Sequence, residues 1–208
     1  MFVKICGIKS NQALEAAVSG GADAVGFVAG VPSSPRNLTL DEARSLRQEV
    51  PYDVKTVLVM VPQSLNELVY AVKYVNPDLV QLHGVDFDFS RIPVPIIKGV
   101  TTRTPHEEVQ RITSSCEIIL LDSYKEGFKG GTGVPLNLEY SKIFIERMSP
   151  HPVILAGGMR PDTVWEAIRF ARPFGVDVSS GVESSPGVKD IKKIRDFIAA
   201  VKQSKQEG

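Results

Sequence analysis

Short uninterrupted apolar runs alternate along this chain with stretches whose apolar positions recur every three or four residues. Residues 2–6 (Phe-Val-Lys-Ile-Cys) read as a strand closed by Gly7, and Ala13, Leu14, Ala17 and Val18 then share one helical face that ends at Gly20-Gly21. Residues 24–28 form a second strand, followed by a longer loop over 29–38 that holds two prolines and Arg36. Thr39 with Glu42 makes a capping box for the next helix, and Ser64 with Glu67 caps the one after the third strand, 55–61. The fourth strand, 79–82, ends in His83-Gly84, and the segment over 85–93 is too short and irregular for a full helix. A fifth strand spans 95–100, and Thr104, Pro105 and Glu107 start a short helix. The sixth, 117–121, ends at Asp122 before a glycine-rich loop over 127–133 and an amphipathic stretch over 138–148. The seventh, 153–156, runs into Gly157-Gly158; the eighth, 176–178, runs into Ser179-Ser180-Gly181; a tail helix closes the chain.

Strands separated by helices imply parallel pairing with right-handed crossovers. Eight such units in 208 residues predict an α/β fold, a compact single-domain (β/α)8 barrel over residues 1–208 with a short connection after strand four, in preference to a doubly wound sheet. No linker, repeat or low-complexity segment interrupts the pattern.

Composition narrows the partners. Lys+Arg 24 balance Asp+Glu 24 with no basic block, which argues against nucleic acid. Lys189, Lys192, Lys193, Lys202 and Lys205 interleave with Ile191, Ile194, Phe197, Ile198 and Val201, so they are expected on the wet face of a packed helix. The two cysteines, Cys6 and Cys116, form no disulfide framework or metal motif, which implies a reducing compartment. No charged-then-apolar leader is visible and no apolar run approaches a membrane span. The expectation is a cytoplasmic protein, monomer or homodimer, with no membrane partner.

In such a barrel the loops after the last two strands are a frequent phosphate site, because small residues let backbone N–H groups approach an anion. Gly157, Gly158, Ser179, Ser180 and Gly181 fit that role, although each end could be a plain tight turn. Polar residues at the C-terminal ends of strands are the catalytic candidates: Cys6, His83, Asp122 and Asp177, with Arg36 from the loop after strand two. Taken singly, Cys6 reads as a small buried hydrophobe, Asp122 as a loop cap and His83 as a structural or substrate-contacting histidine. Together they would converge on one mouth.

Lys4-Ile5-Cys6-Gly7-Ile8, Gly26-Phe27, Ser34-Pro35-Arg36, Gln81-Leu82-His83-Gly84, Leu121-Asp122, Gly130-Gly131-Thr132-Gly133, Leu155-Ala156-Gly157-Gly158 and Asp177-Val178-Ser179-Ser180-Gly181-Val182-Glu183 occur in this order. With them the chain resembles the phosphoribosylanthranilate isomerases of tryptophan biosynthesis. The resemblance implies an Amadori rearrangement of a phosphosugar without cofactor or metal. It assigns Asp122 as general acid, Cys6 as general base, and Arg36 to the anthranilate moiety or the reacting centre. It assigns Gly130, Gly131, Gly157, Gly158, Ser180 and Gly181 to the phosphate, and it puts His83, Asp177 and Ser179 among the residues around the substrate. Val134-Pro135-Leu136-Asn137 and Val28-Ala29-Gly30-Val31 stand where the family commonly has aromatics, which bears on the shape of the anthranilate pocket. Two rivals remain. A metal-dependent phosphosugar epimerase would need a ligand set that His83, His106 and His151 do not evidently make. A phosphosugar-binding protein that has lost the reaction would need neither Cys6 nor Asp122.

Overall fold

Parallel strands pair only when a crossover carries the chain back to the same end of the sheet, and the strand–helix rhythm supplies that return. The computed structural model describes residues 1–85, 87–113, 116–123 and 137–204. Its elements are β1 (Phe2–Cys6), α1 (Asn11–Gly20), β2 (Ala24–Ala29), β3 (Asn37–Leu38), α2 (Leu40–Gln48), β4 (Lys55–Met60), α3 (Leu65–Val75), β5 (Leu79–His83) and β6 (Ile96–Thr101). They continue with α4 (His106–Thr113), β7 (Ile118–Asp122), α5 (Leu138–Met148), β8 (Val153–Leu155), α6 (Val164–Ala171), β9 (Gly175–Val178), β10 (Glu183–Ser185), β11 (Val188–Lys189) and α7 (Ile191–Ser204). The parallel order β1-β9-β8-β7-β6-β5-β4-β2 closes on itself through a β1–β2 pairing, making a TIM barrel of eight strands. The expected short connection after β5 is a 3₁₀ turn, Phe89–Arg91.

Strands covered on both faces should be apolar throughout, and β2 is buried at every position. Period-two alternation then divides the buried residues. Cys6, Val28, Val57, Leu79, Leu120 and Ile154 fill the barrel interior. Ile5, Phe27, Leu58, Val80 and Ile119 pack outward against the helices. The caps form largely as the sequence predicts. Thr39 and Glu42 complete both halves of a capping box. Ser64 accepts from the Glu67 amide, whereas the Glu67 carboxylate reaches one residue further back, to the Gln63 amide at 2.7 Å. The Thr104 hydroxyl, expected to cap α4, accepts the Thr101 amide at 3.0 Å and closes the turn out of β6.

Three features depart from the sequence pattern. Within the loop after β2, residues 37–38 form β3, which pairs with Val28 and Ala29 and lays that loop beside the barrel mouth. After β9 the chain makes an antiparallel hairpin, β10 with β11, in which Glu183 lies opposite Lys189. Lys189 is therefore not on the wet face of the tail helix. It precedes α7, and its side chain is 2% exposed against Glu183. Lys193 also turns inward, donating to the Glu183 carbonyl, while Lys192 keeps the expected solvated place. Lys205 lies outside the described residues.

Candidate active site

The alternation that fills the interior with apolar side chains places Lys4 and Cys6 on one face of β1. Register sets Lys4 beside Asp177 of β9 on one side and Cys6 beside Gly26 of β2 on the other. At the same end of the barrel, β5 finishes at His83 and β7 at Asp122. Cys6, Arg36, His83, Asp122, Gly157, Gly158, Asp177, Ser179, Ser180 and Gly181 all line one open cavity of about 870 Å3. The structure thus brings together every described candidate. Gly130 and Gly131 lie outside the described residues.

Cys6 is 6% exposed, and burial pushes its thiol above the ordinary value because the anion would lose its solvation. Lys4 opposes that shift from the barrel side, with a smaller contribution from Lys189, while the Asp177 carboxylate adds to it. The Lys4 ammonium itself is fully buried and donates to Asp177 Oδ1 at 2.8 Å. Both side chains depend on the missing side chain of Gly26. A Cβ there would sit 3.0 Å from Cys6 Sγ and 3.3 Å from Lys4 Cε.

A second charged group stands at the mouth. Arg36 meets Glu183 with two donors, Nε to Oε1 at 2.7 Å and Nη2 to Oε2 at 2.8 Å, the paired geometry that fixes a guanidinium plane. Lys189 Nζ joins the same carboxylate at 2.8 Å and donates to the Ser179 carbonyl at 2.9 Å. Burial by itself would raise the Glu183 carboxyl, but the bonds from Arg36 and Lys189 win and hold it below its ordinary value. One edge of Arg36 is therefore committed to Glu183 while the side chain lines the cavity, and Lys189 ties this network to the turn after β9.

His83 is pushed down to about 4 by burial, with the charges of Lys4 and Lys98 acting in the same direction, so the ring is neutral near pH 7. Its Nε2 lies 2.8 Å from Gln81 Nε2; with the amide nitrogen on that side, the ring accepts there and carries its proton on Nδ1. A side chain at Gly99 would run into the ring, so that glycine leaves the space His83 fills.

The small residues of the proposed cradle have separate reasons to be small. Gly157 and Gly158 take φ of 85° and 65°, backbone that side chains disfavour, and a Cβ on Gly157 would come within 2.5 Å of Asp122 Oδ1. At Gly181 a Cβ would strike the Met159 carbonyl oxygen. The constraint there is backbone packing between two turns, in addition to any approach by an anion.

Sequence reading passed over Glu183, Lys189 and Gln81 as site residues. Gln81 could have been found, since it shares a strand face with His83. Among the described residues no group of three or more His, Cys, Asp or Glu side chains could hold a metal ion. No described helix is long and apolar enough to cross a membrane.

A closed parallel barrel with a thiol, a carboxylate and glycine-rich turns around one cavity defines a (β/α)8 enzyme of the class that works at the C-terminal ends of its strands. Residues 3–200 match the profile of the family described as N-(5'phosphoribosyl)anthranilate (PRA) isomerase, and the chain belongs to that family. It is 41% identical over 206 residues to the N-(5'-phosphoribosyl)anthranilate isomerase of Thiobacillus denitrificans, covering 97% of this chain and 98% of that one. It is 37% identical to the Haloferax volcanii isomerase, covering 98% and 94%. Among solved structures, the phosphoribosyl anthranilate isomerase of Thermotoga maritima superposes with a TM-score of 0.84 at 33% identity, covering 98% of this chain and 99% of that one. Another, solved in complex with reduced 1-(o-carboxyphenylamino)-1-deoxyribulose 5-phosphate, gives a TM-score of 0.81 at 33% identity with the same coverage.

Proposed function

We propose that the chain converts N-(5-phosphoribosyl)anthranilate to 1-(2-carboxyphenylamino)-1-deoxyribulose 5-phosphate in tryptophan biosynthesis, with Asp122 as general acid and Cys6 as general base. The observation that carries this assignment is that the ends of β1 and β7 present both groups to one cavity beside the glycine turns. Asp122 gives its proton to the furanose oxygen as the C1–O bond breaks, and the anilino nitrogen donates its lone pair to form an iminium. Cys6 thiolate then takes the C2 proton, and the C–H electrons close the C1–C2 double bond of an enamine. Loss of the C2 hydroxyl proton and protonation of C1 give the aminoketose, so the overall change is an isomerisation. A positioned acid or base of this kind contributes about 10²–10⁴-fold.

In this reading the phosphate rests on Gly157, Gly158, Ser179, Ser180 and Gly181, and the family resemblance assigns Gly130 and Gly131 to the same anion. Arg36, steadied by Glu183, faces the anthranilate moiety or the reacting centre. The test is a turnover assay that follows the loss of anthranilate fluorescence. Turnover that persists after chelation supports the reading and excludes the metal-dependent epimerase; binding of phosphosugar without turnover would leave only a binding protein. The chain works in the cytoplasm as a monomer or homodimer, and light scattering should give 22.7 kDa or twice that. The structure of mutually generated monomers of a dimeric phosphoribosylanthranilate isomerase from Thermotoga maritima is one precedent for either state.

A further inference from the structure

We propose that Lys4 is a positioning residue for the reaction: anchored by Asp177, its ammonium lies beside Cys6 and favours the thiolate that acts as base. The inference rests on the reading of Cys6 as base given above.

A lysine is rarely enclosed without a reason, and Lys4 is 0% exposed, among the largest fully buried side chains of the protein. An ammonium carries three donors, and one of them goes to Asp177 Oδ1 at 2.8 Å. Its charge also acts on the Cys6 thiol, which lies on the same strand face and borders, with Lys4 Cε, the space left at Gly26. Burial opposes the charge on Lys4, but Asp177 and Cys6 more than restore it, so the side chain stays protonated. The ammonium therefore sits between a carboxylate fixed across the β1–β9 register and a thiol two residues along its own strand.

Packing alone does not account for this arrangement. The lower layers of the interior are filled by Leu79, Ile97 and Ile154, and a methionine at position 4 would continue them without desolvating a charge. A buried ion pair is often no better for stability than apolar residues of the same size. What the lysine adds is positive charge that works against burial at the Cys6 thiol and favours its anion. Gly26 reserves the space for both groups, since its absent Cβ would contact Lys4 Cε and Cys6 Sγ alike.

The charged groups acting on the sulfur come from three strands: Lys4 of β1, Asp177 of β9 and Lys189 of β11. Glu183 of β10 and Arg36 surround Lys189, and His83 and Asp122 stand across the cavity. The two lysines favour the thiolate and Asp177 disfavours it. Removing Lys4 or removing the Asp177 charge should therefore shift Cys6 in opposite directions, and a role in the reaction requires the pH profile of kcat to move with it.

The experiment measures the rate of Cys6 alkylation by iodoacetamide against pH, read at the Cys6 peptide by mass spectrometry so that Cys116 does not interfere. It is paired with the pH profile of kcat. In Lys4→Met the alkylation midpoint should rise by about one unit or more, and kcat at pH 7 should fall about tenfold and recover toward higher pH. KM should change far less than kcat. In Asp177→Asn the midpoint should fall. Should Lys4→Met not fold, the double variant Lys4→Met/Asp177→Asn removes both charges at once and should still show a raised midpoint. Unchanged midpoints in Lys4→Met and in the double variant would overturn the proposal. Alkylation needs no substrate, so it tests the coupling independently of turnover. If Cys6→Ser retained normal kcat while the midpoints moved as expected, the assignment of the base would fail and the Lys4–Cys6 coupling would stand.

Discussion

Two ion networks border the cavity, and they are built in different ways. The inner one, Lys4 with Asp177, joins adjacent barrel strands; its lysine is 0% exposed on the side chain and its aspartate 8%. The outer one, Arg36 with Glu183 and Lys189, joins the loop after β2 to the hairpin after β9, and its arginine is 12% exposed. The inner network is held by sheet register, so it can move only if the barrel moves. The outer one is held by its own charges, because each of its residues lies on a loop or a short hairpin. Chemistry that needs fixed geometry belongs beside the first, and recognition that can tolerate adjustment belongs beside the second.

The sharpest way to break the contrast is to crowd the rigid side. Gly26→Ala places a methyl 3.0 Å from Cys6 Sγ, 3.2 Å from Cys6 Cα and 3.3 Å from Lys4 Cε, so both side chains and the β1 backbone must shift by a few tenths of an ångström. Overpacking of this kind costs about 1–3 kcal/mol of stability. The expected result is a folded protein with kcat reduced about tenfold and a smaller change in KM, the signature of a displaced base. Equal kcat in the variant would mean that the inner site is as forgiving as the outer.

Glu183→Gln should act the other way. It removes the charge that orients Arg36 and Lys189 while leaving their shape, so KM should rise about tenfold, a loss of about 1.4 kcal/mol of binding, with kcat changing less. Steady-state kinetics on the variant checks this directly.

Acid should loosen the outer network before the inner catalytic geometry is lost. The folded Glu183 carboxyl lies below its ordinary value, because bonds from Arg36 and Lys189 outweigh the opposing effect of burial. The stability it contributes is therefore present above about pH 4.3, the unfolded glutamate value, and is lost as pH falls through the lower folded value. Thermal unfolding from pH 6 downward should show wild type losing its advantage over Glu183→Gln below about pH 4. A gap that stays constant with pH would contradict the paired carboxylate.

The smallest effect concerns His83. With its ring held down at about 4, it should contribute no ionisation to kcat/KM near pH 6.5, and its NMR shifts should stay flat down to about pH 5.

The same contrast explains what could be read without a structure. Barrel strands advertise themselves as apolar runs that end at small or polar residues, so β1, β5, β7, β8 and β9 and the residues at their ends were legible. Cys6, His83 and Asp122 follow from position alone. The face shared by Lys4 and Cys6 follows from alternation. What could not follow is that Lys4 is buried, because its partner lies 173 residues away and only the closing of the barrel brings it near. The outer network was opaque for another reason. Residues 183–189, Glu-Ser-Ser-Pro-Gly-Val-Lys, have neither apolar alternation nor helical period, and Lys189 stands two residues before Ile191, close enough to be counted with the helix. Short polar hairpins are specified by contacts with the rest of the fold.

The central claim is that Cys6 and Asp122 act as base and acid over a separate phosphate cradle. Its most direct test is steady-state turnover of N-(5-phosphoribosyl)anthranilate by Cys6→Ser and Asp122→Asn, with inhibition by inorganic phosphate measured on the same folded preparations. Each variant should lose on the order of 10²-fold or more in kcat while phosphate inhibits as it does the wild type. A near-normal kcat in either variant, or a kcat loss matched by loss of phosphate inhibition, would contradict the division of labour proposed for this barrel.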